Sequence, residues 1–211
     1  NGAGKSTLLK MIGGVHQPDS PAISLDGKAV NIADVRTARS YGIAMVHQEL
    51  NLTDNQTVQQ NLFLGREPRS GLAGALGFID QKRMASEAQA ALDIVGSRVD
   101  RDMIIGELSL AQQQQIEIAK ALSQTDVSYL LLDEPTSSLP EEQANDLLGL
   151  LRRLRDRGLA IVITTHRMDE AFTVADRIVI MRDGEKVSEL RSGDEAMNKN
   201  SVIEKMVGRE L

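Results

Sequence analysis

The sequence predicts an α/β fold with a mostly parallel core sheet, and three observations lead there. Short apolar runs alternate with longer stretches of helical character, which is the order expected when helices connect parallel strands. Ile43–Val46 is entirely apolar, which is typical of a strand buried on both faces. Val127–Leu132 and Leu159–Thr164 have a similar character, so we predict two further buried strands.

The composition is that of a globular protein with an aliphatic core. Of the 211 residues, 41% are hydrophobic and 26% are charged, but only 2% are aromatic. The 24 Lys and Arg residues are outnumbered by 30 Asp and Glu residues, and the net charge of −6 argues against a nucleic-acid binder. The absence of Cys excludes disulfides and thiolate metal sites. The sequence has no run of about 18 apolar residues that would predict a membrane span.

The first third of the chain begins with a glycine-rich loop, Asn1–Gly4, and a predicted helix, Lys5–Ile12. Two short strands, Ala22–Leu25 and Lys28–Val30, are predicted around the turn Asp26-Gly27, because that dipeptide is a strong turn signal.

The middle of the chain, Thr57–Ser123, is predicted to be a helical subdomain inserted into the α/β core. Asp80 is a good N-cap and Gly96 a good C-terminal stop for a helix between them. The three predicted helices are Val58–Leu64, Asp80 to about Val95, and Leu110 to about Ser123.

The last third returns to the α/β pattern. Pro140 and Gly158 bracket a predicted helix in the way that helix starts and ends favour. The elements predicted here are the helix Glu141–Arg157, the short helix Met168–Ala175, a hairpin of Arg177–Met181 and Glu185–Leu190, and a final helix Ser201–Val207.

The chain opens within a phosphate-binding motif. Its first seven residues match the second half of the pattern G-x-x-x-x-G-K-[ST], whose first glycine would precede Asn1. They are Asn1, Gly2, Ala3, Gly4, Lys5, Ser6 and Thr7. Glycines let backbone N–H groups cradle phosphates, Lys5 adds a charge toward the β- and γ-phosphates of a nucleotide, and Ser6 is placed to ligate Mg²⁺. The alternative is a glycine-rich helix start with a chance Lys-Ser.

Two carboxylates follow the apolar strand Val127–Leu132. Asp133 is placed to hold Mg²⁺, as in phosphate-loop enzymes, and Glu134 is then free to polarise an attacking water. The alternative is a strand that ends in a solvated acidic turn.

Leu108-Ser109-Leu110-Ala111-Gln112-Gln113-Gln114 is close to the signature L-S-G-G-Q of ATP-binding cassette (ABC) ATPases, and Leu132-Asp133-Glu134-Pro135-Thr136 resembles their carboxylate strand. Ser109 and Gln112 form a capping-box pattern, and the start of a capped helix attracts anions. An ordinary capping box would explain both residues, but not their place about 24 residues before Asp133. The resemblance implies that Ser109, Ala111 and Gln112 contact, in trans, the γ-phosphate of an ATP held by a facing cassette.

The resemblance assigns two single residues. Gln48 follows Ile43–Val46 and matches the family's glutamine that senses Mg²⁺ and water, and His166 follows Leu159–Thr164 and matches the histidine that contacts the γ-phosphate. His16 and His47 have no such match, and we interpret them as surface or packing residues.

The resemblance covers the whole chain and narrows to bacterial sugar-importer cassettes, whose runs His166-Arg167-Met168-Asp169-Glu170 and Val207–Leu211 are similar. It implies an Mg²⁺-dependent ATPase at the cytoplasmic face of the inner membrane, with permease subunits and a periplasmic sugar-binding protein. A second cassette would lie on the same native chain. The strand before the phosphate loop and the adenine-stacking aromatic would precede Asn1, so we expect a chain cut at both ends. Ala111 and Pro140 depart from the family pattern.

Other functions stay open at this point. An ABC ATPase could serve another substrate, translation or chromosome maintenance, but the chromosome type separates its motifs by a long coiled coil. Here about 100 residues without sustained heptads lie between Lys5 and Ser109. A non-catalytic binding module is disfavoured because Lys5, Asp133 and Glu134 are all intact.

Overall fold

The computed structural model describes residues 2–20, 23–71, 76–124 and 126–192. Their secondary structure follows, in chain order. The elements are α1 (Lys5–Ile12), β1 (Ile23–Leu25), β2 (Lys28–Val30), α2 (Val35–Ser40), β3 (Ile43–Val46), α3 (Val58–Phe63), α4 (Gln81–Val95), a 3₁₀ turn (Ile105–Glu107), α5 (Leu110–Leu122), β4 (Tyr129–Asp133), α6 (Glu141–Asp156), β5 (Ala160–Thr164), α7 (Met168–Val174), β6 (Arg177–Arg182) and β7 (Glu185–Arg191).

Three parallel strands in the order β3-β4-β5 form the central sheet. In its register Val46 lies beside Leu132, and Asp133 lies beside Thr164. Leu132 is fully buried at the centre of this sheet. Because parallel strands end at the same edge, the loops after β3, β4 and β5 meet there. The predicted α/β class with a parallel core sheet is confirmed.

The prediction that the third strand is buried is wrong for one of its faces. In β5, exposed and half-buried residues alternate, and Val162 is 45% exposed. β5 pairs with β4 along one edge, and within the described ranges no strand pairs with its other edge. Side chains project at right angles to the pairing direction, so the exposure of Val162 shows instead that the described residues leave its face of β5 partly uncovered.

The helices of the middle segment form a large part of the larger hydrophobic core. Helices α3, α4 and α5 pack against one another, and residues such as Leu62, Leu92 and Ile116 are fully buried between them. Asp80 caps α4 by accepting the N–H of Arg83 over 3.0 Å, as its sequence pattern indicated. The grouping of residues 57–123 as an inserted subdomain stays a prediction.

The sequence interpretation missed helix α2. Asp34 caps it by accepting a hydrogen bond from the N–H of Thr37 over 2.7 Å, and these hydrogen bonds to the cap hold the pKa of the Asp34 carboxyl below its ordinary value. Six residues with one buried side chain, Ala38, are too few for a helical hydrophobic pattern to stand out.

Two antiparallel hairpins, β1-β2 and β6-β7, lie outside the central sheet, and the turns Asp26-Gly27 and Asp183-Gly184 join their strands. Asn1 and the predicted helix Ser201–Val207 lie outside the described residues. Within the ranges that are described, no helix is both long and apolar enough to cross a membrane.

Candidate functional site

The loop ends of the central sheet face a single cleft beside α1. Residues from three separate stretches of the sequence line it, namely the loop before α1, the residues after β3 and the residues after β4. The lining residues are Gly2, Ala3, Gly4, Lys5, Ser6, Thr7, Gln48 and Glu134. The predicted phosphate-binding motif and the predicted catalytic Glu134 therefore share one opening.

The loop before α1 is shaped for an anion. Gly4 is the residue before the helix, and its φ of +87° is a left-handed conformation that glycine adopts without a steric penalty. Gly4 has no side chain that could cap α1, and the first-turn residues Lys5, Ser6 and Thr7 line the cleft. A phosphate oxygen is the natural acceptor for backbone N–H groups at a helix N-terminus.

A chain of hydrogen bonds joins the loop to the end of β4. The Ser6 hydroxyl donates to Asp133 Oδ1 over 2.9 Å, and the Thr164 hydroxyl donates to the same oxygen over 2.6 Å. Asp133 is buried, and both hydroxyl donors come from elements beside β4. The carboxylate is thus fixed against the start of α1.

Glu134 is held in a strained backbone conformation. Its φ is +46°, in the left-handed region that costs a residue with a side chain energy. Its N–H donates to the carbonyl oxygen and to the hydroxyl of Thr164, both over 3.1 Å. These bonds keep the turn in place and direct the side chain, which is 15% exposed, toward the cleft.

His166 contacts the second carboxylate. Its Nδ1 lies 3.2 Å from Glu134 Oε2, and its side chain is 52% exposed. Since a carboxylate accepts, Nδ1 carries the hydrogen of this bond and the Nε2 side of the ring is left for another partner. The predicted pair of catalytic groups is therefore in direct contact.

The segment after Gln48 is fastened to helix α5. Glu117 Oε1 accepts the N–H of Asn51 over 2.7 Å, and Lys120 Nζ donates to the Asn51 carbonyl over 2.8 Å. Burial raises the pKa of the Glu117 carboxyl above its ordinary value, although Lys120, the Asn51 N–H and His47 each act to lower it. This segment therefore connects β3 with the helix that begins at the signature motif.

The signature residues do not line the cleft. Ser109 Oγ accepts the N–H of Gln112 over 3.3 Å, and Gln112 Oε1 accepts the N–H of Ser109 over 2.9 Å, so the capping box exists as the pattern indicated. Ser109 and Leu110 are exposed at the helix start, and Ala111 is half-buried. The role in trans of Ser109, Ala111 and Gln112 stays a prediction.

A comparison with protein-family models shows which family this chain belongs to. Residues 1–137 match the family model described as ABC transporter. This chain belongs to the ABC transporter family. The resemblance seen in the signature and carboxylate motifs is thereby confirmed, and hydrolysis of bound ATP is the activity of this family.

Similar ABC proteins are named as sugar import components. A ribose import ATP-binding protein, RbsA, from Bacillus licheniformis is 44% identical over 211 residues, which is all of this chain and 41% of that protein. A putative ribose/galactose/methyl galactoside import ATP-binding protein from Burkholderia cenocepacia is 43% identical over 212 residues, or 100% of this chain and 40% of its own length. The chain thus spans about two fifths of these relatives.

Solved ABC cassettes share the fold. The ADP conformation of an ATP-binding cassette of an ABC transporter has a TM-score of 0.82 at 26% identity, covering 99% of this chain and 85% of that one. A dimeric post-hydrolysis cassette bound to ADP and Pi has a TM-score of 0.70 at 25% identity, covering 90% and 81%.

The oxygen donors of this ABC site suit a small hard cation. The Ser6 hydroxyl and the Asp133 carboxylate are one hydrogen bond apart, and Gln48 lines the same cleft. Among the described residues no group of three or more His, Asp or Glu side chains could hold a metal alone. Mg²⁺ is commonly bound by one or two protein oxygens together with substrate phosphates and water, so this donor set fits it.

Thr164 is a site residue that the sequence interpretation missed. It holds both Asp133 and the Glu134 backbone, yet a threonine at a strand end is an ordinary residue. Only the strand register, which places Thr164 beside Asp133, indicates the role of Thr164 in the site.

Proposed function

We propose that this chain is an ATP-hydrolysing cassette that powers import of a sugar into a bacterial cell. The observation that carries the proposal is the cleft in which the phosphate-binding loop, Gln48 and Glu134 converge, with Asp133 and His166 in contact with its lining. The names of the relatives support ATP as the nucleotide and a sugar as the cargo.

In this proposal the ATP phosphates lie on the loop of residues 2–7, where Lys5 neutralises their charge. Glu134 orients and polarises the attacking water, and its contact with His166 directs the imidazole toward the γ-phosphate. Catalysis then comes from positioning and from charge stabilisation by preorganised groups, which work best when their geometry is set in advance.

Ser6 and Asp133 would hold Mg²⁺, with Gln48 as a third oxygen donor. A bound divalent cation neutralises charge on the β- and γ-phosphates. The hydrogen bond between the Ser6 hydroxyl and Asp133 brings these two oxygen donors together.

Two cassettes would complete the site. Ser109, Ala111 and Gln112 lie away from this chain's own cleft but form an exposed, capped helix start that suits a phosphate. A facing cassette would therefore receive them on its ATP, and the dimeric arrangement of a similar cassette supports such pairing.

We further propose that the residue 57–123 helical unit and the segment after Gln48 face membrane permease subunits. The full-length protein would then work at the cytoplasmic face of the inner membrane, and a periplasmic sugar-binding protein would deliver the cargo. The importer names of the relatives support these partners.

The first test is steady-state phosphate release by the purified full-length protein, with and without Mg²⁺. We expect Mg²⁺-dependent hydrolysis that is lost in His166→Ala and retained in His16→Ala, because His16 is exposed and has no part in the cleft. Equal activity of the two histidine variants would remove His166 from the site.

The second test addresses the cargo. The complete importer is reconstituted in vesicles with its binding protein, and ATP hydrolysis is measured as ribose, galactose or an amino acid is added. Stimulation by a sugar supports sugar import, whereas stimulation by the amino acid alone would contradict it and leave the ATPase assignment intact.

A further inference from the structure

A buried carboxylate lies behind the two catalytic loops. Glu170, on α7, is only 8% exposed, although Glu is rarely buried without partners. Its Oε2 accepts hydrogen bonds from the hydroxyls of Thr136, over 2.6 Å, and Thr165, over 3.1 Å. One oxygen atom therefore joins two different loops.

Both loops carry a group of the proposed site. Thr136 lies in the turn that begins at Glu134, where the Ser137 N–H donates to the Glu134 carbonyl over 3.1 Å. Thr165 immediately precedes His166, and its hydroxyl oxygen also accepts the Arg167 N–H over 2.9 Å. Glu170 thus links the loop that follows Glu134 to the loop that carries His166.

A simpler reading is that Glu170 serves only an ion pair with Arg167. The Arg167 Nη1 lies 2.9 Å from Glu170 Oε1, but no donor among the described residues makes a properly directed hydrogen bond to that oxygen. Arg167 compensates the charge that burial would otherwise penalise. The well-directed hydrogen bonds to Glu170 come from the hydroxyls of Thr136 and Thr165, and an ion pair with Arg167 does not explain them.

We propose that Glu170 is a positioning residue which holds Glu134 and His166 at their contact distance by binding the hydroxyls of Thr136 and Thr165. This inference rests on the proposed ATPase function. The two catalytic side chains are 3.2 Å apart across two loops. Thr164 joins the strand ends below those loops through Asp133 and the Glu134 N–H, and Glu170 joins the loops themselves through Thr136 and Thr165. Asp133 holds the ends of β4 and β5 together, and Glu170 holds together the loops that follow those two strands.

The proposal separates turnover from nucleotide binding. Thr136 and Thr165 do not line the cleft, so losing either hydroxyl should leave phosphate binding on residues 2–7 intact. A displacement of about 1 Å in catalytic groups can cost on the order of a hundredfold in rate. We therefore expect roughly a ten- to hundredfold fall in kcat with KM for ATP within about twofold of the parent.

The test compares two matched substitutions in the full-length protein. Thr136→Val keeps the side-chain volume and loses the hydroxyl, whereas Thr136→Ser keeps the hydroxyl and loses a buried methyl group. We expect Val to lower kcat and Ser to retain it, even though Ser lowers the melting temperature. Thr165→Val and Thr165→Ser repeat the comparison should one variant fail to fold.

The control is Thr173→Val, which removes a hydroxyl from the same helix. Its hydroxyl donates only to the Asp169 carbonyl one turn back, on the exposed side. Its kcat should equal that of the parent. In a Glu170→Ala background, Thr136→Val should cause no further loss, because the acceptor of the hydroxyl is already gone.

Two results would overturn the inference while the parent hydrolyses ATP. In the first, Thr136→Val and Thr165→Val have the same kcat as the parent. In the second, kcat falls in Thr136→Ser as it does in Thr136→Val, and in both variants the fall follows the loss of stability. A parent that neither binds nor hydrolyses MgATP would instead refute the proposed function, and the inference with it.

Discussion

Replacing Glu134 by glycine should abolish turnover and leave the stability of the fold nearly unchanged. The φ of +46° costs a non-glycine residue about 1–2 kcal/mol, and glycine removes that cost. Against it stand about 0.5–1 kcal/mol of extra backbone entropy in the unfolded glycine chain. Loss of the contact with the half-exposed His166 ring adds at most about 1 kcal/mol.

The net change is therefore within about 1 kcal/mol of zero, which is a melting-temperature shift of roughly 2–4 °C or less for a domain of this size. Activity should fall far more, because removing a general base typically costs about 10²–10⁴-fold. Glu134→Gln should show the same loss of turnover with ATP binding retained, and it should trap a closed ATP-bound pair of cassettes.

Glu134→Ala separates the backbone from the side chain. Alanine keeps the Cβ in the left-handed region, which costs about 1–2 kcal/mol, but the entropy of the unfolded glycine chain offsets about 0.5–1 kcal/mol of this. The alanine variant should therefore be less stable than the glycine variant by about 0.5–1 kcal/mol, with equal loss of turnover. The matched control for stability is Asp183→Gly, at a φ of +53° and with a side chain 94% exposed.

The assay is phosphate release at saturating MgATP together with thermal melting of each variant. Hydrolysis by the glycine or glutamine variant within a few-fold of the parent would refute the assignment of Glu134. A glycine variant that melts far below the alanine variant would refute the argument from backbone strain.

Three further predictions follow from single side chains. Ala111→Leu should prevent ATP-dependent pairing of cassettes in gel filtration, while Ala111→Gly changes turnover little; pairing of the Leu variant would remove the signature from the nucleotide. Gly4→Ala should weaken ATP binding and cost about 1–2 kcal/mol, since φ is +87° and the new Cβ would lie 3.4 Å from Gly184 Cα. Gly149→Ala, inside helix α6, is its control: among the described residues its new Cβ would meet Arg153 Nη1 at an ordinary contact distance of 3.7 Å, so it should stabilise by up to about 1 kcal/mol. Burial raises the pKa of Glu117, so the folded state binds its proton more tightly than the unfolded state and loses stability as pH rises from about 4.5 to the folded pKa. Glu117→Gln should lack this loss in denaturant titrations between acid and neutral pH, and identical pH profiles would contradict the prediction.

The positions of the phosphate loop, the carboxylates and the signature could be predicted because each is a local pattern. A glycine before a helix, a carboxylate pair after an apolar strand and a capping box depend on neighbours within a few residues. Gln48 and Glu134 share one cleft with the phosphate loop because parallel strands end at the same edge of a sheet, whereas the signature lies outside that cleft.

Two structural features were not predictable in the same way. The exposure of Val162 depends on what packs against its face of β5, and an apolar run has the same sequence pattern whether that face is covered or not. Helix α2 is short, and its main local signal is the cap at Asp34.

The contact between Glu134 and His166 depends on strand register, and this is where pattern-based prediction ends. β4 and β5 pair so that Asp133 lies beside Thr164, which lets the Thr164 hydroxyl reach Asp133 and accept the Glu134 N–H. A shift of one residue would turn every side chain of β5 to the other face of the sheet and end these bonds. The left-handed turn at Glu134 then directs its side chain back across the gap to His166. The residues that establish this geometry are threonines and a buried glutamate, whose types occur throughout any sequence. Their function follows from their partners, so it becomes visible only once the register is known.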